Sequence, residues 1–407
     1  MQSIDSDIFT LHRRAQNCIA QNYLTNSKRP ETFVKGVYPS HIKRGHGCWL
    51  WDHNDKKYLD FICGLGTNII GYGHTQVNTA IAEQLNYGYS HSFGTHHEIE
   101  LAEYMKGLFP FVDCWKFSKT GSEACNAAIK IARAATGRSL ILSEGYHGHG
   151  DDFISLTEPA LGVPKSPGFV RAIRALEVDT IHPGVAAVIV EPVITDWSNE
   201  RRAWLQNLRD VCTKNEVLLI FDEVINGFRF PKFCVSNYWG ITPDLLILGK
   251  AMANGMPLAA VGGKFSVMNK AEYFISSTYA GETLSLVAAK KTMELLQSKF
   301  DINTLWKQGQ AFIDDFNTVC PELVRIEGYP TRGVFVGDAT SKALFMQEAC
   351  LAGMLFGPSW FFNYGLADEA SNALSAIKAI LGRIKRGEVK LKGELPKSPF
   401  AQKVRGQ

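Results

Sequence analysis

Four short apolar runs in the middle of the sequence limit the folds that it can adopt. Each run is bounded by polar or turn residues, and none alternates with polar positions. The runs are residues 140–142, 185–190, 217–221 and 245–248. Such continuous runs are typical of strands that are buried on both faces of a parallel sheet. Residues 123–135 carry a helical stripe of Ala and Ile, and Gly137 is expected to end that helix. We therefore predict an α/β fold with a mostly parallel central sheet and helices on both faces.

The length of 407 residues is enough for two or three domains, at about 150 residues for each. Aromatic and apolar residues around a polar turn predict a hairpin over 50–61. After about residue 300 the pattern becomes helices mixed with short strands, including 333–336 and a terminal helix near 369–385. We predict an N-terminal segment packed with a smaller α+β domain, and one large domain. The predicted divisions are 1–60 for the segment, 61–295 for the large domain and 296–407 for the small domain.

The composition excludes several classes of protein. There are 43 Lys and Arg residues against 40 Asp and Glu, so the formal charge is only +3, which argues against a nucleic-acid partner. The nine cysteines are scattered without a C-x-x-C pair and indicate reduced thiols in the cytosol. Residues 1–10 do not resemble a secretory signal, and no apolar stretch reaches the roughly 18 to 20 residues that a membrane span needs. We expect a soluble, cytoplasmic protein with no membrane partner.

Lys250 directly follows the apolar run 245–248 and opens a stretch of small residues. A lysine in such a crowded place is partly desolvated, which lowers its pKa and favours the free amine that forms Schiff bases. A lysine that extends from a strand end to the surface would give the same local pattern.

Two acidic residues, Asp222 and Glu223, follow the run 217–221. A buried carboxylate needs a cationic partner, and a protonated pyridine nitrogen is one that turns a ring into an electron sink. Metal binding is the alternative. Successive residues of a strand point to opposite faces, which disfavours a single ion held by both carboxylates.

Thr120, Gly121 and Ser122 stand where a helix is predicted to begin. Free N–H groups and the helix dipole make such an end an anion site, and Gly121 lets a phosphate approach the backbone. The alternative is a capping box formed by Thr120 and Glu123.

The segment Glu144–Asp151 follows another predicted strand and contains Tyr146 between glycine-flanked positions. Here an aromatic ring could lie flat on a planar ligand at the end of a sheet. The alternative is a metal site that uses His147 and His149. No third ligand stands at a fitting spacing, so we predict no metal.

Taken together, these elements follow the order phosphate turn, aromatic residue, acid and lysine. With this combination the sequence resembles the fold-type I, class III aminotransferases that use pyridoxal 5′-phosphate (PLP). Within that family it is most similar to the glutamate-1-semialdehyde 2,1-aminomutase branch, from about residue 47 to residue 380. The motifs that carry the resemblance are Gly64-Leu-Gly66, Ile69-Ile-Gly-Tyr-Gly-His74, Tyr146-His-Gly-His-Gly-Asp151, Glu191-Pro-Val193, Asp222-Glu-Val224, Leu248-Gly-Lys250 and Ser277-Thr-Tyr-Ala-Gly281.

The resemblance implies a role for each matching residue. Lys250 would be the Schiff-base lysine, Asp222 would face the pyridine nitrogen, and the ring would lie between Val224 and Tyr146. It also implies that the large domain binds the cofactor. The other implied cofactor contacts are Thr120, Gly121 and Ser122 around the phosphate, Thr278 from the neighbouring subunit, and His147 and Glu191.

The implied function is an aminotransferase homodimer with shared active sites, which moves an amino group from a small donor to an aldehyde or ketone acceptor. PLP would alternate between its aldehyde and amine forms. An intramolecular aminomutase is the nearest alternative, and decarboxylation or racemisation on the same cofactor stays open. A nicotinamide dehydrogenase needs G-x-G-x-x-G, which the glycines at 64–66 and 71–73 do not complete. A catalytically inactive relative is disfavoured because Lys250 and Asp222 are both present.

Two segments depart from the aminomutase pattern. Residues 29–36 lack its Ser-Pro-Val-Arg motif, and Phe362 stands near the position of an expected glutamate. Arg332 is a candidate carboxylate clamp, although it also suits a surface turn. An aromatic pocket around 360–364 without a clear clamp suggests a less acidic substrate, such as an amino sugar, an amino alcohol or a larger aldehyde or ketone. Candidate substrate contacts at the mouth of the site are His91, Ser92, Thr95 and His96.

Overall fold

Helices and strands alternate through most of the chain. The computed structural model describes residues 6–158, 162–164, 168–173, 177–397 and 403–404. The strands are β1 (Ile42–His46), β2 (Trp49–Asp52), β3 (Lys57–Asp60), β4 (Cys114–Ser118), β5 (Leu140–Glu144), β6 (Thr157–Glu158), β7 (Val170–Ala172), β8 (Val185–Val190), β9 (Leu218–Asp222), β10 (Leu245–Leu248), β11 (Ala259–Gly263), β12 (Arg325–Tyr329), β13 (Arg332–Val336), β14 (Met354–Leu355), β15 (Ser359–Phe361) and β16 (Lys403–Val404). The helices are α1 (Ser6–Cys18), α2 (Cys63–Gly66), α3 (Thr75–Leu85), α4 (His96–Leu108), α5 (Gly121–Thr136), α6 (Asp151–Ile154), α7 (Asn199–Lys214), α8 (Val235–Trp239), α9 (Phe265–Met268), α10 (Thr283–Ser298), α11 (Ile302–Asn317), α12 (Ala339–Leu351), α13 (Tyr364–Ala367) and α14 (Ala370–Lys385). Within the described ranges, no helix combines the length and the apolar character that a membrane crossing requires.

Chain contacts divide the protein into two compact units. The terminal unit comprises Met1–His74 and Asn303–Ala401, and the central unit comprises Thr75–Ile302 and Gln402–Gln407. The predicted boundaries after residues 60 and 295 stay a prediction.

A seven-stranded sheet forms the middle of the central unit, in the order β4-β11-β10-β9-β8-β5-β7. Its strands from β7 to β10 are parallel, and β11 and β4 continue it with antiparallel pairing. Every residue of β8 and β10 is buried. Because side chains alternate between the faces of a strand, the sheet is covered on both sides. The predicted class, with its mostly parallel sheet, is therefore confirmed.

Helix α5 packs against the sheet and ends where the sequence predicts. Gly137 adopts a left-handed conformation with φ +67°, and its N–H bonds to the Arg133 carbonyl. The helix begins at Gly121, two residues before the predicted start, because Thr120 caps it. The Oγ1 atom of Thr120 accepts the Glu123 N–H at 3.2 Å, and the Glu123 carboxylate accepts the Thr120 N–H at 2.9 Å. The capping box is therefore present.

The terminal unit contains two smaller sheets, β1-β2-β3-β14 and β12-β13-β15. Strands β2 and β3 pair antiparallel. In the turn between them the Asp52 carboxylate accepts the N–H groups of Asn54 and Lys56 at 2.9 and 3.0 Å. The predicted hairpin over 50–61 is confirmed.

An aromatic cluster fills the core of the terminal unit and corrects one interpretation. Trp360 and Phe362 are fully buried, and their rings lie 5.5 and 5.7 Å from that of Phe312. Both side chains pack against other aromatic rings of the same unit and have no contact with solvent. They therefore line no solvent-accessible pocket. The predicted aromatic pocket is thus wrong, and it carries no information about the substrate. The other rings of the cluster are those of Phe61, Phe316, Phe335, Phe345 and Phe356.

Arg332 lies on β13, where its backbone pairs with Tyr329 and Phe361. The residue is only 8% exposed. The alternative that it is a surface turn residue is therefore wrong.

Candidate active site

Asp222 and Lys250 stand at the ends of two neighbouring parallel strands of the central unit. Asp222 is the last residue of β9 and pairs in register with Ile247 of β10, and Lys250 follows β10 after Gly249. The φ of Lys250 is +42°, a conformation that is costly for a lysine. Strand ends of this kind form the ligand-binding edge of α/β sheets.

The Asp222 carboxylate is 4% exposed and accepts three hydrogen bonds. Its Oδ1 accepts the Val224 N–H at 3.0 Å, and its Oδ2 lies 2.8 Å from His147 Nδ1 and 3.3 Å from Cys125 Sγ. Burial alone would raise the pKa of Asp222. The hydrogen bond and the charge of His147 outweigh burial, with smaller help from Lys250, and the pKa is lowered. Asp222 is therefore ionised at neutral pH.

His147 is 1% exposed and lies between two acceptors. Its Nε2 is 3.0 Å from the Glu144 carbonyl, and its Nδ1 faces the Asp222 carboxylate. A neutral imidazole has only one N–H, so both bonds require the imidazolium form. Burial opposes that charge, but the Asp222 hydrogen bond and charge raise the pKa of His147. The pair is a buried cation and anion.

Glu223 points away from this pair. Its carboxylate accepts the N–H groups of Val235 and Ser236 at 2.6 and 3.0 Å, and the Ser236 hydroxyl at 2.7 Å. The two neighbouring carboxylates thus have different hydrogen-bond partners, and that they do not share one ion stays a prediction.

The loop after β5 is tied to the segment after β8. The Tyr146 N–H donates to Glu191 Oε1 at 2.9 Å, while the Tyr146 side chain is 49% exposed. Gly145 has φ +108°, and a Cβ there would lie 3.0 Å from the same Glu191 oxygen. The loop therefore buries His147 and leaves the ring of Tyr146 accessible to solvent.

A largely buried ion pair between Arg201 and Glu144 anchors the start of this loop. Arg201 makes two hydrogen bonds to the Glu144 carboxylate, at 3.1 and 2.9 Å, and it donates to the carbonyls of Pro192 and Glu191. Sequence reasoning missed Arg201, because its position on α7 offers no motif.

The start of α5 meets the same loops. A Cβ on Gly121 would lie 2.9 Å from Val224 Cγ1, and one on Gly148 would clash with Ser122. The Ser122 hydroxyl accepts the His149 N–H at 3.2 Å. The N–H groups of Gly121 and Ser122 have no acceptor among the described residues. Two free donors at the start of a 16-residue helix form an anion-binding end.

Cys125, His147 and Asp222 offer ligand atoms that all lie within 4.8 Å of one another. The separations of 2.8 and 3.3 Å to Asp222 Oδ2 are those of hydrogen bonds. That the protein uses no metal stays a prediction.

A family model described as "Aminotransferase class-III" matches residues 33–167 and 165–359. This chain belongs to the class III aminotransferase family. The predicted family is thus confirmed, and the chain is an enzyme of that family.

Curated relatives of this class III aminotransferase carry the name glutamate-1-semialdehyde 2,1-aminomutase. The protein from Desulfotalea psychrophila is 33% identical over 305 residues, which are 69% of this chain and 71% of the relative. The protein from Syntrophobacter fumaroxidans is 29% identical over 388 residues, covering 84% and 90% of the two chains. The similarity to the aminomutase branch is therefore confirmed.

Solved structures confirm the predicted fold of a PLP-dependent transferase. The FumI protein of Sphingopyxis sp. MTA144, described with PLP, aligns with a TM-score of 0.85 and 22% identity, covering 96% of this chain and 99% of that one. An omega-transaminase from Sphaerobacter thermophilus aligns with a TM-score of 0.82 and 24% identity, covering 94% and 99%.

Thr278 follows a residue that contacts the first turn of α5. It is exposed and makes no hydrogen bond to residues 120–122 among the described residues. Its neighbour Ser277 contacts Glu123 at 3.5 Å, and Lys119 pairs with Glu282 at 2.9 Å. A phosphate contact by Thr278 from another subunit stays a prediction.

The candidate substrate contacts lie around the start of α4. Thr95 caps that helix with Glu98, and His91 contacts the Tyr87 carbonyl at 3.2 Å. The ring of His96 lies tilted against that of His97, with the ring centres 4.0 Å apart. Ser92 is exposed. Substrate contact by Thr95 and by the others stays a prediction.

Proposed function

We propose that this enzyme is a PLP-dependent aminotransferase in which Lys250 is the amine that bonds the cofactor. The observation that carries the proposal is the placement of Asp222 and Lys250 at the ends of the neighbouring parallel strands β9 and β10. A buried, ionised carboxylate beside a strand-end lysine suits a ring that needs a negative partner on one side and an amine on the other.

The described residues fit the group. The free N–H donors of Gly121 and Ser122 suit a phosphate. A Cβ on Gly249 would lie 3.3 Å from Val224, so the missing side chain at Gly249 leaves space beside Val224. We assign the ring nitrogen to Asp222 and the phosphate to the turn. The further assigned contacts are Val224 and Tyr146 on the ring faces, His147 and Glu191 around it, Thr120 in the turn, and Thr278 from the neighbouring subunit.

In the proposed mechanism, PLP supplies an aldehyde that condenses with amines and a ring that accepts the electron pair from the substrate α-carbon. Lys250 would hold the cofactor through its Nζ, and once displaced by the substrate amine the free Nζ would take a proton from the substrate α-carbon and return it. Asp222 keeps a negative charge against the ring nitrogen, and His147 keeps Asp222 ionised. Lys250 and Asp222 are thus the proposed catalytic residues.

A donor and acceptor panel tests the proposal. Amino acids, amino sugars and amino alcohols would each be paired with aldehydes and ketones, with the purified protein and added PLP. We expect transfer that requires both a donor and an acceptor. Loss of donor amine without formation of acceptor amine would contradict an aminotransferase and favour decarboxylation or another reaction.

The names of the curated relatives favour an intramolecular aminomutase as the second candidate. Such an enzyme converts one substrate without a separate donor. Conversion of glutamate-1-semialdehyde alone, at a rate that no added donor increases, would select the aminomutase. Its absence would select the aminotransferase.

Dimerisation belongs to the same proposal. Phe93, Phe274 and Tyr87 of the central unit are 87%, 85% and 75% exposed, and such apolar exposure is typical of an interaction surface. We propose a homodimer whose sites share residues. Cytoplasmic residence is also proposed, and it is supported by the free state of all nine cysteines, each of which is described.

A further inference from the structure

Cys125 adds a contact to the proposed site that no motif of the sequence suggested. It lies on α5, is 1% exposed, and is separated from Asp222 by 97 positions in the chain. Its Sγ is 3.3 Å from Asp222 Oδ2, the oxygen that His147 also contacts.

The direction of this hydrogen bond follows from the chemistry of the two groups. An ionised carboxylate can only accept, so the thiol must donate. Burial and the charge of Asp222 raise the pKa of Cys125 well above its ordinary value. The thiol keeps its proton at every pH at which the enzyme would work, and it is a donor rather than a nucleophile.

The three contacts divide the carboxylate into two unequal oxygens. Oδ2 accepts from His147 and Cys125, so both of its lone pairs are engaged. Among the residues that the structure describes, Oδ1 accepts only the Val224 N–H, which leaves it one lone pair. The Val224 N–H on Oδ1 and His147 on Oδ2 already orient the carboxylate, and the Cys125 thiol adds a second donor on Oδ2 that further opposes rotation about the Cβ–Cγ bond.

We propose that Cys125 is a positioning residue, which holds the Asp222 carboxylate so that Oδ1 faces the cofactor ring nitrogen. The inference rests on the proposed use of PLP. Other charged or titratable groups act on the same place, and they are His147, Lys250, Glu191 and Tyr146. Cys125 differs from them because it adds a donor without adding a charge.

Two substitutions of Cys125, by residues of nearly equal size, separate the loss of the hydrogen-bond donor from the loss of side-chain volume. Cys125→Ala removes the thiol, and Cys125→Ser restores a donor in a similar space. We expect the dissociation constant of PLP, measured by titration of the full-length apo chain, to rise about fivefold in the alanine variant. In the serine variant it should stay within about twofold of the wild type. Equal affinities in the two variants, whether weakened or unchanged, would overturn the proposal.

Cys212→Ala is the matched control, because Cys212 is also a fully buried thiol on a helix of the central unit. Its loss leaves a similar cavity away from Asp222. We expect the dissociation constant of PLP to be unchanged in this variant. Weakening equal to that of Cys125→Ala would reduce the effect to packing and would contradict a positioning role.

The S–H stretching band gives a readout that does not depend on PLP. The infrared difference between the wild type and Cys125→Ala isolates one thiol band, and donation to a carboxylate lowers its frequency. We expect a band below those of thiols without an acceptor, and a return to higher frequency in Asp222→Leu. A band that Asp222→Leu does not move would overturn the contact itself. Failure of the chain to bind PLP would instead contradict the proposed function and leave this result standing.

Discussion

His147 and Asp222 form a buried pair whose contribution to stability depends on pH. The lowered pKa of Asp222 stabilises the fold above its ordinary value of 3.8, and this contribution is lost as the pH falls through the folded value. The raised pKa of His147 stabilises the fold below its ordinary value of 6.5, and this contribution is lost as the pH rises through the folded value. Both contributions are complete between about pH 4 and pH 6.5.

Replacement of the histidine tests this window. We expect His147→Asn to lower the free energy of unfolding by about 3 kcal/mol at pH 5.5, because it leaves a buried carboxylate without its cation. The deficit should shrink as the pH rises above about 6.5. Urea denaturation across this range measures it. His149→Asn, an exposed neighbour, should match the wild type. A deficit that is constant with pH would contradict the imidazolium.

At the scale of single residues, sequence reasoning selected side chains but not their contacts. Asp222 and Lys250 stand out because each follows an apolar run. The contacts of Asp222 with His147 and Cys125 join positions that are 75 and 97 residues apart. Such contacts depend on which strands become neighbours, and local patterns carry no information on that order.

At the scale of elements, the start of α5 is constrained by Val224, which stands two residues after β9. Gly121 has no room for a side chain, because a Cβ would lie 2.9 Å from Val224 Cγ1. Gly107, on α4, offers a matched control, because a Cβ there would meet no heavy atom within 4 Å outside its own helix backbone and chain neighbours.

A double-mutant cycle measures this constraint. We expect Gly121→Ala to lower the free energy of unfolding by about 1–3 kcal/mol in the wild type, since overpacking strains a filled core. In Val224→Ala the same change should cost less than about 0.5 kcal/mol. Gly107→Ala should be neutral or slightly stabilising. If the free-energy costs of Gly121→Ala and Val224→Ala are additive, the two positions are not in steric contact.

Predicted elements agree with the structure where the periodicity is strong. The run 217–221 becomes Leu218–Asp222, and the helix predicted over 123–135 is extended to Gly121–Thr136. The shifts of one or two residues come from the chemistry of the helix and strand ends, such as the Thr120 cap, which adds two residues before the apolar stripe begins. The interpretation of residues 360–364 failed for another reason. Composition alone does not tell an aromatic core from an aromatic pocket.

At the scale of the whole molecule, the fold class follows from the alternation of buried strands and helices. The strand order β4-β11-β10-β9-β8-β5-β7 does not, and this order is what brings β5 and β9 to either side of β8. The loop that follows β5 can therefore meet Asp222. Class III family membership rests on the match over residues 33–359 rather than on the fold, which many activities share.

Assembly is testable at the same scale. If the exposed segment around Phe93 lies in a dimer interface, Phe93→Asp places a charge in it and should dissociate the dimer. Sedimentation at micromolar concentration should show a dimeric wild type and a monomeric variant. Leu351→Asp, on α12 of the terminal unit, should remain dimeric. A monomeric wild type would contradict the shared site.

The role of Lys250 is tested most directly by reductive trapping of PLP with borohydride, followed by peptide mass spectrometry. We expect a visible absorbance band in the purified protein and one trapped phosphopyridoxyl group, on the peptide that contains Lys250. Lys250→Ala should lose both, with kcat reduced by roughly 10²- to 10⁴-fold, while Lys214→Ala, a change at an exposed lysine, keeps them. Trapping on another lysine, or unchanged trapping in Lys250→Ala, would contradict the central claim.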